Sequence, residues 1–332
     1  MTAPQKPMPA PVLSVRDLSC HFTSRRGPFY ARQTQVVRAL QAARFDLYPG
    51  RTVGIVGESG SGKSTLARCV MRLEVPTSGE ILFDGQDLAT ASAQSLRPVR
   101  RHIQMVFQDP WASLNPRHTV GQILREPWQI HEGVVPQAQW EARVAELLEL
   151  VGLNPSFAHR YPSQFSGGQR QRVSIARALA LEPQVLILDE AVSALDVSVQ
   201  AQILNLLAEL QERLGMAYLF ISHDLGVVRH LCHEIGVMYL GRIVEHGPTE
   251  AIFTAPRHPY TQALLSAMPD APEAGRILLE GEVPSPLNPP SGCGFRTRCP
   301  KASAACAAGV PPFEPGETAP HRAACFHPVA RA

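Results

Sequence analysis

The run Gly57-Glu58-Ser59-Gly60-Ser61-Gly62-Lys63-Ser64-Thr65 narrows the choice of fold more than any other stretch of the chain. Before it stands Thr52-Val53-Gly54-Ile55-Val56, apolar enough for a strand buried on both faces. After it, from Ser64 to Arg72, comes a helical pattern with Leu66, Val70 and Leu73 on one side. Strand, glycine-rich turn and helix in that order fit G-x-x-x-x-G-K-[ST] in the setting the motif requires. Small residues let successive backbone N–H groups point into one hollow, and the positive end of the helix dipole adds to its attraction for phosphate. Lys63 is placed to neutralise the β- and γ-phosphates of a nucleotide and the Ser64 hydroxyl to ligate Mg²⁺. Gly57, Ser59, Gly60, Gly62 and Thr65 complete the cradle.

The rest of the chain supplies the sheet that such a loop needs. Apolar and polar residues alternate from Val12 to Phe22 and from Val36 to Leu47, which predicts half-buried antiparallel strands joined by an Arg- and Gly-rich loop. The segment Gln184 to Asp189 leads into a helix from Val199 to Leu214. In the same way Met216 to Ser222 leads into a helix from Asp224 to Leu231. Fully apolar strands alternating with helices predict a mostly parallel sheet covered on both faces. Between these units Trp140, Val144, Leu147, Leu148 and Val151 form the stripe of an amphipathic helix over Gln137 to Val151, read as part of a helical insertion. Residues 1–11 are a Pro-rich leader expected to be disordered. Beyond Pro269 the chain turns to Pro, Gly and Ala with few large aliphatics, so residues 270–332 are not expected to build an ordinary core.

Composition excludes several classes. Lys and Arg together number 31 against 29 Asp and Glu, which leaves no basic field for tracking a nucleic-acid backbone. No run of about 18 apolar residues occurs, and the N-terminus lacks a basic start followed by an apolar stretch, so the expectation is a chain that neither spans a membrane nor is secreted by the usual route.

A second polar element sits at the end of Val185-Leu186-Ile187-Leu188-Asp189-Glu190, where a buried strand delivers two carboxylates to the edge at which α/β sheets bind ligands. Asp189 suits the outer shell of Mg²⁺, and Glu190 the polarisation of an attacking water. Ser166-Gly167-Gly168-Gln169-Arg170-Gln171-Arg172 opens a predicted helix reaching Leu181, and upstream of the Asp189 strand it resembles the signature motif of ATP-binding cassette (ABC) ATPases. The resemblance implies roles for further positions. Gln108 in Val106-Phe107-Gln108-Asp109 is similar to the glutamine that senses Mg²⁺ and water and couples to a transmembrane partner. Ser193-Ala194-Leu195-Asp196 resembles the D-loop, His223 in Ile221-Ser222-His223-Asp224 resembles the switch histidine, and Phe22 takes the place of the aromatic that stacks on adenine. The match covers about 12–265. Two departures, Phe165 for Leu and Ala191-Val192 for Pro-Thr, remove no polar group that does chemistry. The family implies an α/β P-loop ABC ATPase fold with a mostly parallel core sheet, an N-terminal antiparallel β subdomain, a helical subdomain from about 95 to 180 and a small Cys-rich extension over 266–332. It also implies ATP and Mg²⁺ as ligands, with catalysis by two cassettes head to tail, the signature residues Ser166 to Gln169 serving the partner's nucleotide.

The stretch Phe107 to Arg117, with Ser113-Leu114-Asn115-Pro116 inside it, resembles the dipeptide/oligopeptide group of bacterial import ATPases. So do His258-Pro259-Tyr260-Thr261-Gln262 and Gly292-Cys293-Gly294-Phe295-Arg296-Thr297-Arg298-Cys299-Pro300. Relatives in that group handle nickel chelates or glutathione, which stay open as cargo. The resemblance implies a second ATPase, a paralogue, two permeases, an external binding protein reached only through them, and a peripheral place on the cytoplasmic face of the inner membrane. Cys293, Cys299, Cys306 and Cys325 are spaced C-x5-C-x6-C-x18-C. This spacing lacks the short pair of zinc sites and differs from the ferredoxin run, so alone it leaves iron–sulfur, zinc and free thiols open. The family's C-terminal motif has been associated with a 4Fe-4S cluster, which favours that reading. One phosphate loop, one signature and no sustained heptads argue against the ABC proteins of ribosomes and DNA. The presence of Lys63, Glu190 and His223 argues against a non-catalytic cassette.

Overall fold

The computed structural model describes residues 10–26, 33–269, 276–313 and 321–329. Most of the leader expected at 1–11 lies outside these residues. Strands β1 (Leu13–Arg26) and β2 (Gln33–Leu47) pair antiparallel and run further than the alternation predicts. After β3 (Thr52–Val56) and α1 (Lys63–Val70), the chain returns through β4 (Ser78–Phe83) and β5 (Gln86–Asp87) to complete a four-stranded sheet in the order β2-β1-β4-β5. Helix α2 (Ala93–His102) then leads into β6 (Ile103–Val106).

Helices α3 (Pro110–Ser113), α4 (Val120–Ile130), α5 (Trp140–Leu150) and α6 (Gly167–Leu179) follow before the chain re-enters the large sheet at β7 (Val185–Asp189). This helical layer therefore lies between two strands, β6 and β7, that pair side by side. Its core holds Trp128, fully buried, whose indole N–H donates to Ala180 O at 2.7 Å and whose ring lies 6.0 Å from that of Trp140. Next come α7 (Val197–Leu214), β8 (Ala217–Ser222), α8 (Leu225–Leu231), β9 (Glu234–Tyr239), β10 (Arg242–Pro248), α9 (Thr249–Thr254) and α10 (Pro259–Ser266). In the extension are α11 (Ala304–Ala308) and β11 (Arg322–Ala323).

The large sheet has the order β11-β10-β9-β3-β8-β7-β6. From β9 to β6 all neighbours are parallel, and β10 and β11 join antiparallel. The mostly parallel core and the antiparallel N-terminal sheet are both as expected. Strands β3, β7 and β8 are buried along their whole length, which is why their sequences are apolar without alternation.

The described part of the extension is held by a means that its composition conceals. Phe295 is fully buried against the cassette, its ring 5.3 Å from Tyr239, 5.4 Å from Tyr260 and 5.6 Å from His258. One aromatic docks into a pocket made by β9 and α10, and β11 adds a short strand to β10. Hydrophobic burial does hold the tail, on the cassette's surface and not in a core of its own.

Two histidines at this junction make the fold acid-sensitive. Burial pushes His246 down to about 4, with Arg322 and His321 adding to the effect. Burial likewise pushes His258 down to about 4, against the opposing pull of Glu245. Both groups titrate near 6.5 in an unfolded chain, which then binds more protons than the folded one, so stability falls as pH drops from about 6.5 toward about 4. His258 Nδ1 accepts the Tyr260 N–H at 3.1 Å at the start of α10. His258→Asn keeps an acceptor there and is expected to flatten the dependence of Tm on pH in that window; an unchanged slope would place the acid sensitivity elsewhere.

Candidate nucleotide site

Because β3, β8, β7 and β6 are adjacent and parallel, their C-terminal ends bring four loops to one edge. The loop after β3 carries the cradle. Gly57 has φ +154 and Gly62 φ +107, and a Cβ at these positions would lie 2.2 Å from Met238 O and 2.3 Å from Ala39 O. Both glycines are therefore required by backbone conformation and by close packing at once. The Gly241 N–H donates to Ser61 O at 2.8 Å, fixing the cradle against the turn between β9 and β10.

Lys63 is buried, and its Nζ donates to Gly57 O at 2.8 Å and to Glu58 O at 3.0 Å. Burial lowers its pKa, while Glu190, Asp189 and Glu58 pull the other way. The Ser64 hydroxyl donates to Asp189 Oδ1 at 3.0 Å. Burial raises the Asp189 pKa and the Ser64 hydrogen bond opposes that shift. A hydroxyl and a carboxylate side by side are hard oxygen donors of the kind Mg²⁺ takes together with nucleotide phosphates, so these residues fit that ion.

Glu190, just past β7, is held in the left-handed region at φ +48. Its N–H donates to Ile221 O at 3.0 Å, and its carbonyl accepts from the Ser193 hydroxyl at 2.9 Å. This unfavourable conformation turns the side chain toward the ends of β6 and β8. There Glu190 Oε2 accepts from Gln108 Nε2 at 2.9 Å and lies 3.5 Å from His223 Nδ1. Gln108, Glu190 and His223, predicted from three separate loops, are thus brought together at one carboxylate oxygen.

The signature stands apart. Ser166 caps α6, accepting the Gln169 N–H at 3.3 Å, while Gln169 Oε1 accepts the Ser166 N–H at 3.1 Å. Gly168 packs against α7, where a Cβ would meet Val199 Cγ1 at 2.4 Å, and Gly167 faces Leu195. None of these bonds reaches the phosphate cradle. Ser166 is exposed, as are Asp196 and, at 82%, Val197 beside it. Phe22 lies on β1 opposite Val37 and is 38% exposed.

The expected cysteine cluster is not supported. Cys293, Cys299 and Cys325 are half-buried and Cys306 is buried; burial raises the pKa of the first three, with the neighbouring thiols adding to it. The four are therefore neighbours, but among the described residues no three Cys, His, Asp or Glu side chains are grouped to hold a metal ion. Local groups contact two of the thiols: Cys325 Sγ accepts the His327 N–H at 3.4 Å, and the Ser303 hydroxyl lies 3.7 Å from Cys306 Sγ. The arrangement of these residues therefore gives no support to a 4Fe-4S cluster.

Sequence reasoning missed two residues that touch the cradle. The Tyr260 hydroxyl accepts the Glu58 N–H at 3.1 Å, and Arg298 Nη1 donates to the Glu58 carboxylate. Both stand in motifs legible in the sequence, His258 to Gln262 and Gly292 to Pro300, but neither motif carries a sign of what it contacts.

The chain matches the ABC transporter family over residues 40–193 and the oligopeptide/dipeptide transporter C-terminal region over 244–306. It is 53% identical over 321 residues to the oligopeptide transport ATP-binding protein AppF of Bacillus subtilis, covering 95% of this chain and 96% of that one. To the di/tripeptide transport ATP-binding protein DppF of Pseudomonas aeruginosa it is 49% identical, with 90% and 93% covered. Among solved structures it resembles a dimeric ATP-binding cassette in a post-hydrolysis state bound to ADP and Pi (TM-score 0.61, 28% identity, 71% of this chain and 98% of that one). It also resembles cbiO1 of Clostridium perfringens, part of the ABC transporter complex cbiONQ (TM-score 0.62, 28% identity, 74% and 91%). Among the described residues no helix is long and apolar enough to cross a membrane. With a relative more than half identical along nearly its whole length, the chain belongs to the ABC transporter ATPases, in the oligopeptide/dipeptide transporter group.

Proposed function

We propose that this chain is the ATP-hydrolysing subunit that energises import of di- and oligopeptides through a permease complex, working peripherally at the cytoplasmic face of the inner membrane. The observation that carries the chemistry is the meeting of Gln108, Glu190 and His223 at one carboxylate oxygen beside the Lys63–Ser64–Asp189 cradle. In this reading Lys63 and the cradle N–H groups bind the β- and γ-phosphates. Ser64 and Asp189, with Gln108, hold Mg²⁺, which supplies neutralisation of phosphate charge. Glu190 accepts a proton from the attacking water, oriented by Gln108, and His223 senses the γ-phosphate. Phe22 stacks on the base.

Two surfaces support the assembly. Ser166, Asp196 and Val197 are exposed, and the hydrogen bonds of Ser166 stay within the first turn of α6, which suits a second cassette, a paralogue, whose nucleotide Ser166, Gly167, Gly168 and Gln169 complete. Phe107 and Trp111 flank Gln108 on the surface, Trp111 under the Arg170 guanidinium at 3.9 Å, and suit docking of two membrane permeases. Residues 12–265 form the ATPase domain, with its helical subdomain over about 95–180, and 266–332 the extension. Peptide as cargo, in place of nickel chelates or glutathione, rests on the relatives' names and on the match over 244–306.

Affinity capture of the chain from gently solubilised native membranes is expected to recover two multi-span permeases and a second cassette, with the associated external binding protein retaining peptides. Recovery of ribosomal or DNA-bound proteins without a permease would sink the transport reading.

A further inference from the structure

We infer that Arg298, in the C-terminal extension, is a positioning residue for the phosphate cradle: it neutralises and fixes Glu58, so that the extension sets the affinity of the same chain for ATP. Arg298 Nη1 lies 3.1 and 3.0 Å from the two oxygens of the Glu58 carboxylate, and the pair is largely shielded, the side chains 10% and 26% exposed. Glu58 is the second residue of the cradle. Its N–H is taken by the Tyr260 hydroxyl at 3.1 Å and its carbonyl by Lys63 Nζ at 3.0 Å. All three polar parts of one cradle residue are thereby held, two of them by residues that follow β10 in the chain.

The contact is built and not incidental. The Arg298 N–H donates to Phe295 O at 3.0 Å, one turn after the ring that is locked between Tyr239 and Tyr260. Tyr239 and Tyr260 themselves stand edge to face at 4.7 Å. The same aromatic cluster that anchors the extension therefore delivers both the Tyr260 hydroxyl and the Arg298 guanidinium to Glu58.

The chemistry gives this a direction. A carboxylate on a loop that must receive a polyanion repels it, and it also attracts the Lys63 ammonium that the phosphates need. An arginine on that carboxylate cancels its field, and in a shielded pair the cancellation is little screened by salt. Without Arg298, the Glu58 carboxylate has lost the cation that compensates it beside the cradle. ATP affinity is then expected to fall about tenfold, as a change in binding with turnover per bound ATP retained.

The inference rests on the ATPase reading and not on the cargo. The test is titration of the full-length chain with Mg·ATP, together with KM and kcat for ATP in the assembled transporter. Arg298→Ala is expected to raise Kd and KM about tenfold with kcat nearly unchanged. Adding Glu58→Gln to Arg298→Ala is expected to restore affinity to within about twofold of wild type, because the repelling charge is gone. A merely structural role would lower the Tm of the nucleotide-free chain, and Glu58→Gln would rescue nothing. That result, or an Arg298→Ala chain that binds ATP like wild type, would overturn the inference. Should Arg298→Ala fail to fold, Arg298→Lys and Arg298→Gln decide it: the lysine is expected to retain most of the affinity and the glutamine to lose it, and equal affinities would overturn it. A wild-type chain that binds no ATP would overturn the ATPase reading itself.

Discussion

Glu190→Gln is expected to lower steady-state ATP hydrolysis by about 100-fold or more while ATP still binds. The substitution keeps the size and planarity of the side chain, so the local packing past β7 should survive. The amide can still accept the Gln108 hydrogen bond that Glu190 Oε2 receives at 2.9 Å. What it removes is a group able to take a proton from water, and the negative charge that His223, 3.5 Å away, faces across the site. The backbone sharpens the expectation: a non-glycine residue held at φ +48 is costly, and here the side chain that results is aimed at two other polar groups from different loops. The measurement pairs phosphate release from the assembled transporter with nucleotide binding to the full-length chain. Turnover within a few-fold of wild type would remove Glu190 from the role of base, whatever its position.

The elements that were legible in the sequence are those whose chemistry leaves a periodic or composition signal. Strands β3, β7 and β8 read as unbroken apolar runs because both faces are covered, one by helices and the other by α1 together with the N-terminal sheet, and the glycine-rich turn is legible because Gly57 and Gly62 cannot be any other residue there. Helices α2 and α4 were not legible: Pro98 and Pro127 sit inside them, and a proline in a pattern argues for a break. Strands β9 and β10 are not legible because only a tight turn at Leu240 and Gly241 separates them, within a stretch with no alternation. The convergence of Gln108, Glu190 and His223 came from family resemblance, since three residues from separate loops meet only once the strand order β8-β7-β6 is known. The extension shows the same limit in reverse. Its composition argues correctly against a core of its own, but a single Phe295 needs no periodicity to dock on a neighbouring surface. The expectation of a cluster came from the family's C-terminal motif, because the spacing of the four cysteines alone does not decide what they hold.

Lys63→Ala is expected to weaken ATP binding by about 100-fold or more, through loss of a charge-assisted contact in a buried cradle. The ammonium is held by Gly57 O and Glu58 O, at 2.8 and 3.0 Å, which places it inside the hollow. Burial works against its charge, and Glu190, Asp189 and Glu58 work for it. Incoming phosphates add to the second group, which is why a lysine under a desolvation penalty becomes a strong ligand when the site fills. Lys63→Arg should rescue little: the two carbonyls enclose a compact ammonium, and a planar guanidinium cannot occupy that space and still leave the helix N–H groups open to phosphate. Ser64→Ala offers the contrast, because the Ser64 hydroxyl is bonded to Asp189 and is placed for Mg²⁺, so its loss should show mainly as a weaker dependence of ATP affinity on Mg²⁺. If Lys63→Ala bound ATP within tenfold of wild type, the loop N–H groups and the helix dipole would be carrying the phosphates alone, and Lys63 would be a brace for the Gly57 and Glu58 carbonyls.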